Sequence, residues 1–354
     1  MLEIDRRQFI AGAGAALIAT LAPGAREALA GADAVYASAF QSRPGEFGVA
    51  TLTQSGEIIT SEALPVRGHG FACHDTRFVV FARRPGIYAV AFDRAGGAPV
   101  TFSTPADRHF FGHGLLSPDA KLLYAAENAF ESGDGVIGVY DATDGYRRIG
   151  EFASGGIDPH DMTLLDDGRT LCVANGGILT HPDYGRAKLN LASMQPSIAF
   201  ISLCDGALIE KHVLPAELSR LSLRHMARDA RGRVWIGAQY EGSKSDTPPL
   251  VAHVARGEEL ALLDLPGEQW RVLRNYIGSV SANADGDRIA FTSPRGGAML
   301  VVDALAGKPV ETRARARIYG VAAAGRDFVT STEAGEFGGT RHDLAWDNHI
   351  ALLP

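Results

Sequence analysis

Four histidines stand at matching places in four consecutive segments of this 354-residue chain. They occur in RGHGFACHD, FGHGLLSPD, GIDPHDMTLL and SLRHMARD, as His69, His113, His160 and His225. In each segment an apolar, β-rich run follows the histidine. Neutral imidazole is a common ligand of copper, zinc and iron, whereas calcium and magnesium prefer oxygen ligands. If these side chains meet in the fold, they can hold a transition-metal ion.

The histidine segments belong to a longer internal repeat. Residues 276–297 and 318–336 keep the same layout without the histidine. Self-similarity at a period of roughly 45 residues, with several short strands per unit, is typical of a β-propeller. Six unit starts and an opening module of three strands predict a single all-β domain with seven blades, and six blades is the alternative. The last strand is expected to close the ring near the N-terminal strands.

This architecture predicts where the histidines lie. The first strand of each blade lines the central channel, so equivalent positions in successive blades converge on one axis. Asp158 and Asp161 flank His160 and could orient ligating imidazoles. Arg67 and Arg224, each next to or near a histidine, are candidates for binding a carboxylate- or phosphate-bearing ligand or cofactor. The alternative is that the histidines are ordinary polar residues of the channel wall.

The other histidines are not predicted to bind the metal. His181 lies in a long loop after the third inner hairpin and could reach over the channel mouth. The remainder are assigned to the surface or to outer strands without a role, namely His74, His109, His212, His253, His342 and His349.

The first thirty residues differ from the rest. Residues 5–10, DRRQFI, form a twin-arginine core, followed by a weakly apolar run and an A-x-A-like site at Ala28–Leu29–Ala30. We expect a signal peptide at residues 1–30, a propeller domain at 31–354, a periplasmic location and no transmembrane segment after cleavage. We expect the three cysteines to be buried and to pack as small hydrophobic side chains. Whether Cys172 and Cys204 oxidise to a disulfide is left open.

Charge and missing motifs argue against several classes of function. The net charge is -7 and no basic run is present, which argues against a nucleic-acid partner. The chain also lacks a nucleophile elbow, a phosphate loop and an H-E-x-x-H pair.

Several segments resemble one known family. They are RGHGFACH, GHGLLSPD, GIDPHDMTLLDDGRTLCVANGGILTHPDYGRAKLNLASMQPS, RHMARDARGRVWIGAQYEG and GSVSANADGDRIAFTSPRGG. The chain is similar in these to domain-of-unknown-function family 1513, described as twin-arginine-exported, seven-bladed propellers. The resemblance implies an association with imelysin-like iron-uptake proteins and di-haem peroxidase-like proteins, but it supplies no catalytic residues.

The principal hypothesis is a periplasmic metal-binding accessory protein of iron or copper acquisition, with zinc as the less favoured ion. Its expected partner is a periplasmic iron-uptake protein. Two alternatives stay open, a propeller-type metal-dependent hydrolase or lactonase and a non-catalytic scaffold for protein interaction. The sequence does not decide whether the protein is an enzyme.

Overall fold

A computed structural model describes residues 34–354 of the chain, which form a seven-bladed β-propeller. The described residues contain seven antiparallel sheets of four strands each. The prediction of seven blades is therefore confirmed, and the six-bladed alternative is excluded. The predicted signal peptide lies outside the described residues.

The first three blades, each given from the axis outwards, are built as follows. Blade 1 contains β28 (Ala345–Leu352), β1 (Tyr36–Arg43), β2 (Glu46–Leu52) and β3 (Ile58–Leu64). Blade 2 contains β4 (Gly68–His74), β5 (Arg77–Ala82), β6 (Tyr88–Asp93) and β7 (Val100–Ser103). Blade 3 contains β8 (Arg108–Leu116), β9 (Leu122–Ala129), β10 (Asp134–Asp141) and β11 (Arg147–Ala153).

The remaining blades follow the same order. Blade 4 contains β12 (Pro159–Leu164), β13 (Thr170–Asn175), β14 (Ser197–Ser202) and β15 (Leu208–Val213). Blade 5 contains β16 (Leu221–Arg228), β17 (Val234–Tyr240), β18 (Val251–Val254) and β19 (Ala261–Leu262). Blade 6 contains β20 (Ser279–Ala282), β21 (Arg288–Ser293), β22 (Ala298–Asp303) and β23 (Lys308–Ala314). Blade 7 contains β24 (Ile318–Ala324), β25 (Asp327–Thr332), β26 (Glu336–Phe337) and β27 (Thr340–Arg341).

Helical structure is minor within residues 34–354. One short helix, α1 (Gly267–Val272), lies between blades 5 and 6 and buries Trp270. Two 3-10 turns span Pro182–Tyr184 and Ala216–Leu218. No helix among residues 34–354 is long and apolar enough to cross a membrane.

The two ends of the described chain close the ring together. Strand β28 pairs antiparallel with β1, with Tyr36 opposite Leu352, and the Leu353 amide donates to the Val35 carbonyl at 2.8 Å. The prediction that the last strand closes the ring is confirmed. Because β28 takes the innermost place of blade 1, a C-terminal segment lines the channel.

The hydrophobic core lies between neighbouring blades. Middle strands such as β13 are buried along their whole length, since both of their faces meet another blade. Outer strands such as β11 alternate between exposed and half-buried residues, which is the pattern of a sheet edge facing solvent. The rigid inner strands are thus held from behind by packed apolar layers.

The cysteines give no disulfide in this structure. Cys172 is buried on β13 opposite Phe200, whereas Cys204 is exposed in the turn after β14. Cys73 is half-buried, and the expectation that the three cysteines are buried is wrong for Cys204. That residue falls just past the end of its strand.

A candidate metal centre in the channel

Five imidazoles, rather than four, meet in the channel. His69, His113, His160 and His225 lie on β4, β8, β12 and β16, and His349 lies on β28. These are the inner strands of five consecutive blades, numbers 1 to 5. The assignment of His349 to the surface or an outer strand is wrong, because ring closure makes its strand an inner one. The assignment of His109 is also wrong, since it is fully buried on β8 beside Asn128.

Irregular strand pairing accompanies the histidines. The register of β4 with β5 shifts between Gly68 and Phe71, and that of β8 with β9 shifts between Phe110 and Gly114. The other three histidines also lie within or at the edge of a register shift. Of the two inner strands without a histidine, β20 pairs regularly and β24 has a register shift between Ile318 and Val321, so irregular pairing is not confined to the histidine strands. A β-bulge re-aims side chains, so the bulges present these imidazoles to the axis.

Glycines allow the histidine strands to approach closely. A Cβ on Gly112 would come within 2.8 Å of His69 Cδ2, and one on Gly70 would come within 2.7 Å of His113 Nδ1. Gly112 also has a φ of +104°, which disfavours any other residue. These two positions therefore admit no larger residue without moving a ring.

The five rings form a compact layer. The centroid of the His69 ring lies 4.6 Å from that of His349 and 5.0 Å from that of His113. The His160 and His225 centroids are 4.8 Å apart. Two groups of three have ligand atoms within 4.8 Å of one another, His69 with His113 and His349, and His113 with His160 and His225. His113 is common to both groups.

In the first group, each Nδ1 faces an oxygen. His69 Nδ1 is 3.4 Å from Asp347 Oδ1, and His113 Nδ1 is 3.5 Å from Asp161 Oδ1. His349 Nδ1 is 3.5 Å from Ser279 Oγ. A proton on Nδ1 that points to such an acceptor leaves the lone pair on Nε2, which is the tautomer that binds metals. We call His69, His113 and His349 the metal triad.

The second group is arranged differently. Arg224 Nη1 donates to His160 Nδ1 at 2.9 Å. A neutral His160 that accepts at Nδ1 carries its proton on Nε2. Its Nε2 therefore has no lone pair to offer, and a guanidinium charge lies beside it. The second group is a poorer cation site than the metal triad.

Burial keeps the channel imidazoles neutral. It is the largest cause that lowers the pKa of His113 below its usual value, and it lowers the pKa well below that value for His69, His160, His225 and His349. Burial raises the pKa of Asp161. Burial alone would also raise the pKa of Asp347, but the His69 bond and the Arg67 charge hold it well below its usual range.

Three imidazole nitrogens in this layer are buried without a hydrogen-bond partner among residues 34–354. They are His113 Nε2, His349 Nε2 and His225 Nδ1. Burying a polar group without a partner costs roughly 1 to 3 kcal/mol. A bound ligand would offset that cost. Two of the three atoms, Nε2 of His113 and Nε2 of His349, belong to the metal triad and have lone pairs that can bind a metal.

The two predicted arginines have different positions. Arg224 is 2% exposed and contacts both His160 and Asp158. Arg67 Nε donates to Asp347, the carboxylate that faces His69. Arg67 therefore positions an aspartate, while Arg224 lines a cavity on the channel axis. The loop residue His181 packs against Phe130 and Tyr184 and is not part of the imidazole layer.

Residues 62–353 match the family described as Protein of unknown function (DUF1513). The chain belongs to this family. The resemblance noted in the sequence is thus confirmed for DUF1513 and for its seven blades.

The DUF1513 chain is similar in fold to other propellers. Hydrazine synthase of Kuenenia stuttgartiensis superposes with a TM-score of 0.59 at 13% identity, covering 83% of this chain and 91% of that chain. The Cps50 (Swd1) β-propeller domain of Myceliophteria thermophila gives 0.55 at 10% identity, covering 85% and 94%. BamB of Moraxella catarrhalis gives 0.53 at 13% identity, covering 91% and 83%. These identities show the fold alone, and no curated protein matches the sequence.

Proposed function

We propose that this protein is a periplasmic metal-binding protein that holds one transition-metal ion at Nε2 of His69, His113 and His349. The observation that carries the proposal is the surroundings of the metal triad, in which every Nδ1 lies within 3.5 Å of a side-chain oxygen. Such second partners fix the ligating tautomer in known metal sites. The buried, unpartnered Nε2 atoms of His113 and His349 support it.

The charges near the triad also favour a cation there. Asp161 contacts His113, and its other recorded partners are the backbone amides of Met162 and Met226. Among the described residues, no arginine or lysine contacts this carboxylate directly, so its negative charge has no cationic partner there. A cation at the triad would stabilise the charged form of this buried carboxylate.

The donor set selects the class of metal. Neutral imidazoles suit iron, copper and zinc, and three of them leave coordination positions for water or another ligand. We propose iron or copper ahead of zinc, because the family resemblance points to iron acquisition. On the same ground we propose that the protein serves a periplasmic iron-uptake partner.

The hydrolase alternative has less support in the channel. Such a site would hold its cation with carboxylate and amide oxygens. Here Asp158 is bound by Arg84 and Arg224, and Asp347 by Arg67, so two of the channel carboxylates already have cationic partners. The imidazole-rich layer therefore favours the metal-binding function.

Metal titration tests the proposal. Metal-stripped protein is titrated with Cu²⁺, Zn²⁺ and, without oxygen, Fe²⁺, and binding is followed by calorimetry. We expect one tight equivalent that is lost in His113→Gln and kept in His74→Gln, whose residue lies at the other end of β4 and contacts the Pro118 carbonyl. His160→Gln should also keep the metal, because His160 is outside the triad. Equal and negligible binding by the original protein and His113→Gln would overturn the proposal.

The proposed location needs its own test. Replacing Arg6 and Arg7 with lysine should keep the protein in the cytoplasm, if the twin-arginine pathway exports it. Fractionation of cells that express either form measures this. An unchanged periplasmic fraction for the lysine form would contradict export by that pathway.

A further inference from the structure

We propose that one mouth of the channel binds a small oxyanion, through a carboxylate or phosphate group, at Arg83, Arg84, Arg186 and Arg224. We call these four residues the arginine mouth. None of the four arginines belongs to the metal triad, although His69 of the triad also lines their cavity, and the proposal does not need a metal to be bound.

Three parts of the chain bring the four guanidinium groups together. Arg83 and Arg84 follow β5, Arg186 lies in the long loop after β13, and Arg224 lies on β16. Antiparallel pairing places the ends of β5 and β13 beside the starts of their inner strands, so these loops gather on one face. The four side chains line a cavity of about 40 Å³ on the axis, together with His69, His160 and His225. One water needs only about 10 to 15 Å³, so the cavity has room for a small anion.

The imidazole layer separates this cavity from a second one. The second cavity, of about 260 Å³, is lined by His113, Asp161 and His349 and by apolar residues of β4, β20 and β28. Asp161 thus faces the second cavity, whereas the four arginines face the first. An anion at the arginine mouth and a cation at the triad would occupy separate places.

The positive charge at this mouth is only partly compensated. Asp158 accepts from Arg84 at 3.1 Å and lies 3.4 Å from Arg224, so one carboxylate serves two guanidinium groups. Within residues 34–354, neither Arg83 nor Arg186 has a recorded side-chain hydrogen bond or ion pair. Glu241, the nearby carboxylate, is bound by Lys188. In this part of the chain, Asp158 is therefore the carboxylate that the arginine mouth contacts directly, through Arg84 and Arg224. Asp347, whose pKa the Arg83 charge helps to lower, is already bound by Arg67.

This crowding has an electrostatic consequence. Burial, together with the charges of Arg224, Arg186 and Arg83, lowers the pKa of Arg84 to about 10 despite the nearby Asp158. Burial and neighbouring arginines also lower the pKa of Arg186. Like charges in a partly desolvated cavity repel one another strongly. A bound anion would relieve that repulsion.

Arg224 supplies independent evidence of a missing partner. It is 2% exposed, it lines the cavity, and its Nε is buried without a hydrogen-bond partner among the described residues. His225 Nδ1 in the same wall is also buried and unpartnered. The guanidinium fork fits carboxylate and phosphate oxygens in pairs, which decides the ligand class.

The test uses metal-stripped protein, so that its failure is separable from failure of the metal proposal. Inorganic phosphate and citrate are titrated in parallel by calorimetry, and the tighter of the two identifies the oxyanion class. We expect saturable binding of at least one of them with one site per chain. Arg83→Gln and Arg186→Gln should each weaken it by roughly tenfold or more, because a hydrogen bond to a charged group is lost.

Arg326→Gln is the matched control. It removes one positive charge from a side chain that is 90% exposed and paired with Asp285, outside the cavity. Binding by Arg326→Gln should equal that of the original protein. The proposal is overturned if neither anion binds, or if Arg326→Gln weakens binding as much as Arg83→Gln and Arg186→Gln do.

Discussion

The ring centroids of His69 and His349 lie 4.6 Å apart, although the two residues lie near opposite ends of the described chain. Closure of the ring by β28 brings them together, because that strand lies next to β4 around the axis. The metal triad therefore exists only when the propeller is closed. Metal binding and ring closure should stabilise each other, since a ligand that binds only the folded state raises its stability.

The first prediction concerns the C-terminal member of the triad. His349→Gln should abolish tight metal binding and also the rise in melting temperature that metal produces. His342→Gln is the control, because His342 lies outside the channel and contacts the Gly56 carbonyl. It should change neither the metal affinity nor the metal-induced rise in melting temperature. Thermal unfolding with and without metal measures both effects. A metal-induced rise that persists in His349→Gln would contradict the assignment.

The second prediction concerns the carboxylate behind His113. Asp161→Asn should lower metal affinity by about 10- to 100-fold, because it weakens the contact that fixes the His113 tautomer. Asp183→Asn is the control, since Asp183 faces His181 at 3.7 Å outside the layer. Calorimetric titration compares the two variants. Equal affinities would show that Asp161 does not position a ligand.

The third prediction separates backbone strain from steric contact. Gly112→Ala should destabilise the fold by about 1 to 3 kcal/mol and reduce metal affinity, because its Cβ would meet His69 Cδ2 at 2.8 Å. Gly339→Ala has a matching positive φ, of +103°, but nothing within 4 Å of the new atom. It should destabilise less and leave metal affinity intact. Urea unfolding and metal titration of both variants check this, and equal metal affinities would contradict it.

The fourth prediction concerns acid sensitivity of the metal-stripped protein. Burial lowers the pKa of all five channel imidazoles. In the unfolded chain a histidine has a pKa of about 6.5, so below that pH the unfolded chain binds more protons than the folded one. The free energy of unfolding should therefore fall as the pH drops below that value. Each imidazole contributes up to about 1.4 kcal/mol per pH unit until its folded pKa is reached.

Buried Asp161 acts in the opposite direction, because its raised pKa favours the folded state as protons are added. Comparison with His113→Gln isolates the imidazole part. Urea unfolding at pH 7.5 and 5.5 should show a smaller loss of stability for that variant. Identical losses in the two proteins would mean that His113 does not contribute.

The sequence allowed the propeller, its seven blades and four of the five channel histidines to be predicted. The repeat was sufficient because inner strands of successive blades occupy equivalent places on the axis. His349 was missed because its strand is the last in the chain, and no second strand follows it to complete the repeat pattern. In blade 1 the N-terminal module supplies three strands, and the place left for the closing strand is the innermost one.

The arginine mouth was only partly predictable. Arg224 adjoins a histidine and was identified from the repeat, but Arg83 and Arg186 lie in loops whose paths the repeat does not determine. The contact that Arg67 makes with Asp347 was not predictable for a related reason. Asp347 lies on β28, and only the closed ring brings the two side chains together.

The most direct test of the metal triad is a crystal structure of metal-loaded protein with anomalous scattering at the metal's absorption edge. We predict one peak on the channel axis, within about 2.0 to 2.1 Å of Nε2 of His69, His113 and His349. An anomalous map with no peak in the channel, or with metal only at histidines outside it, would contradict the account.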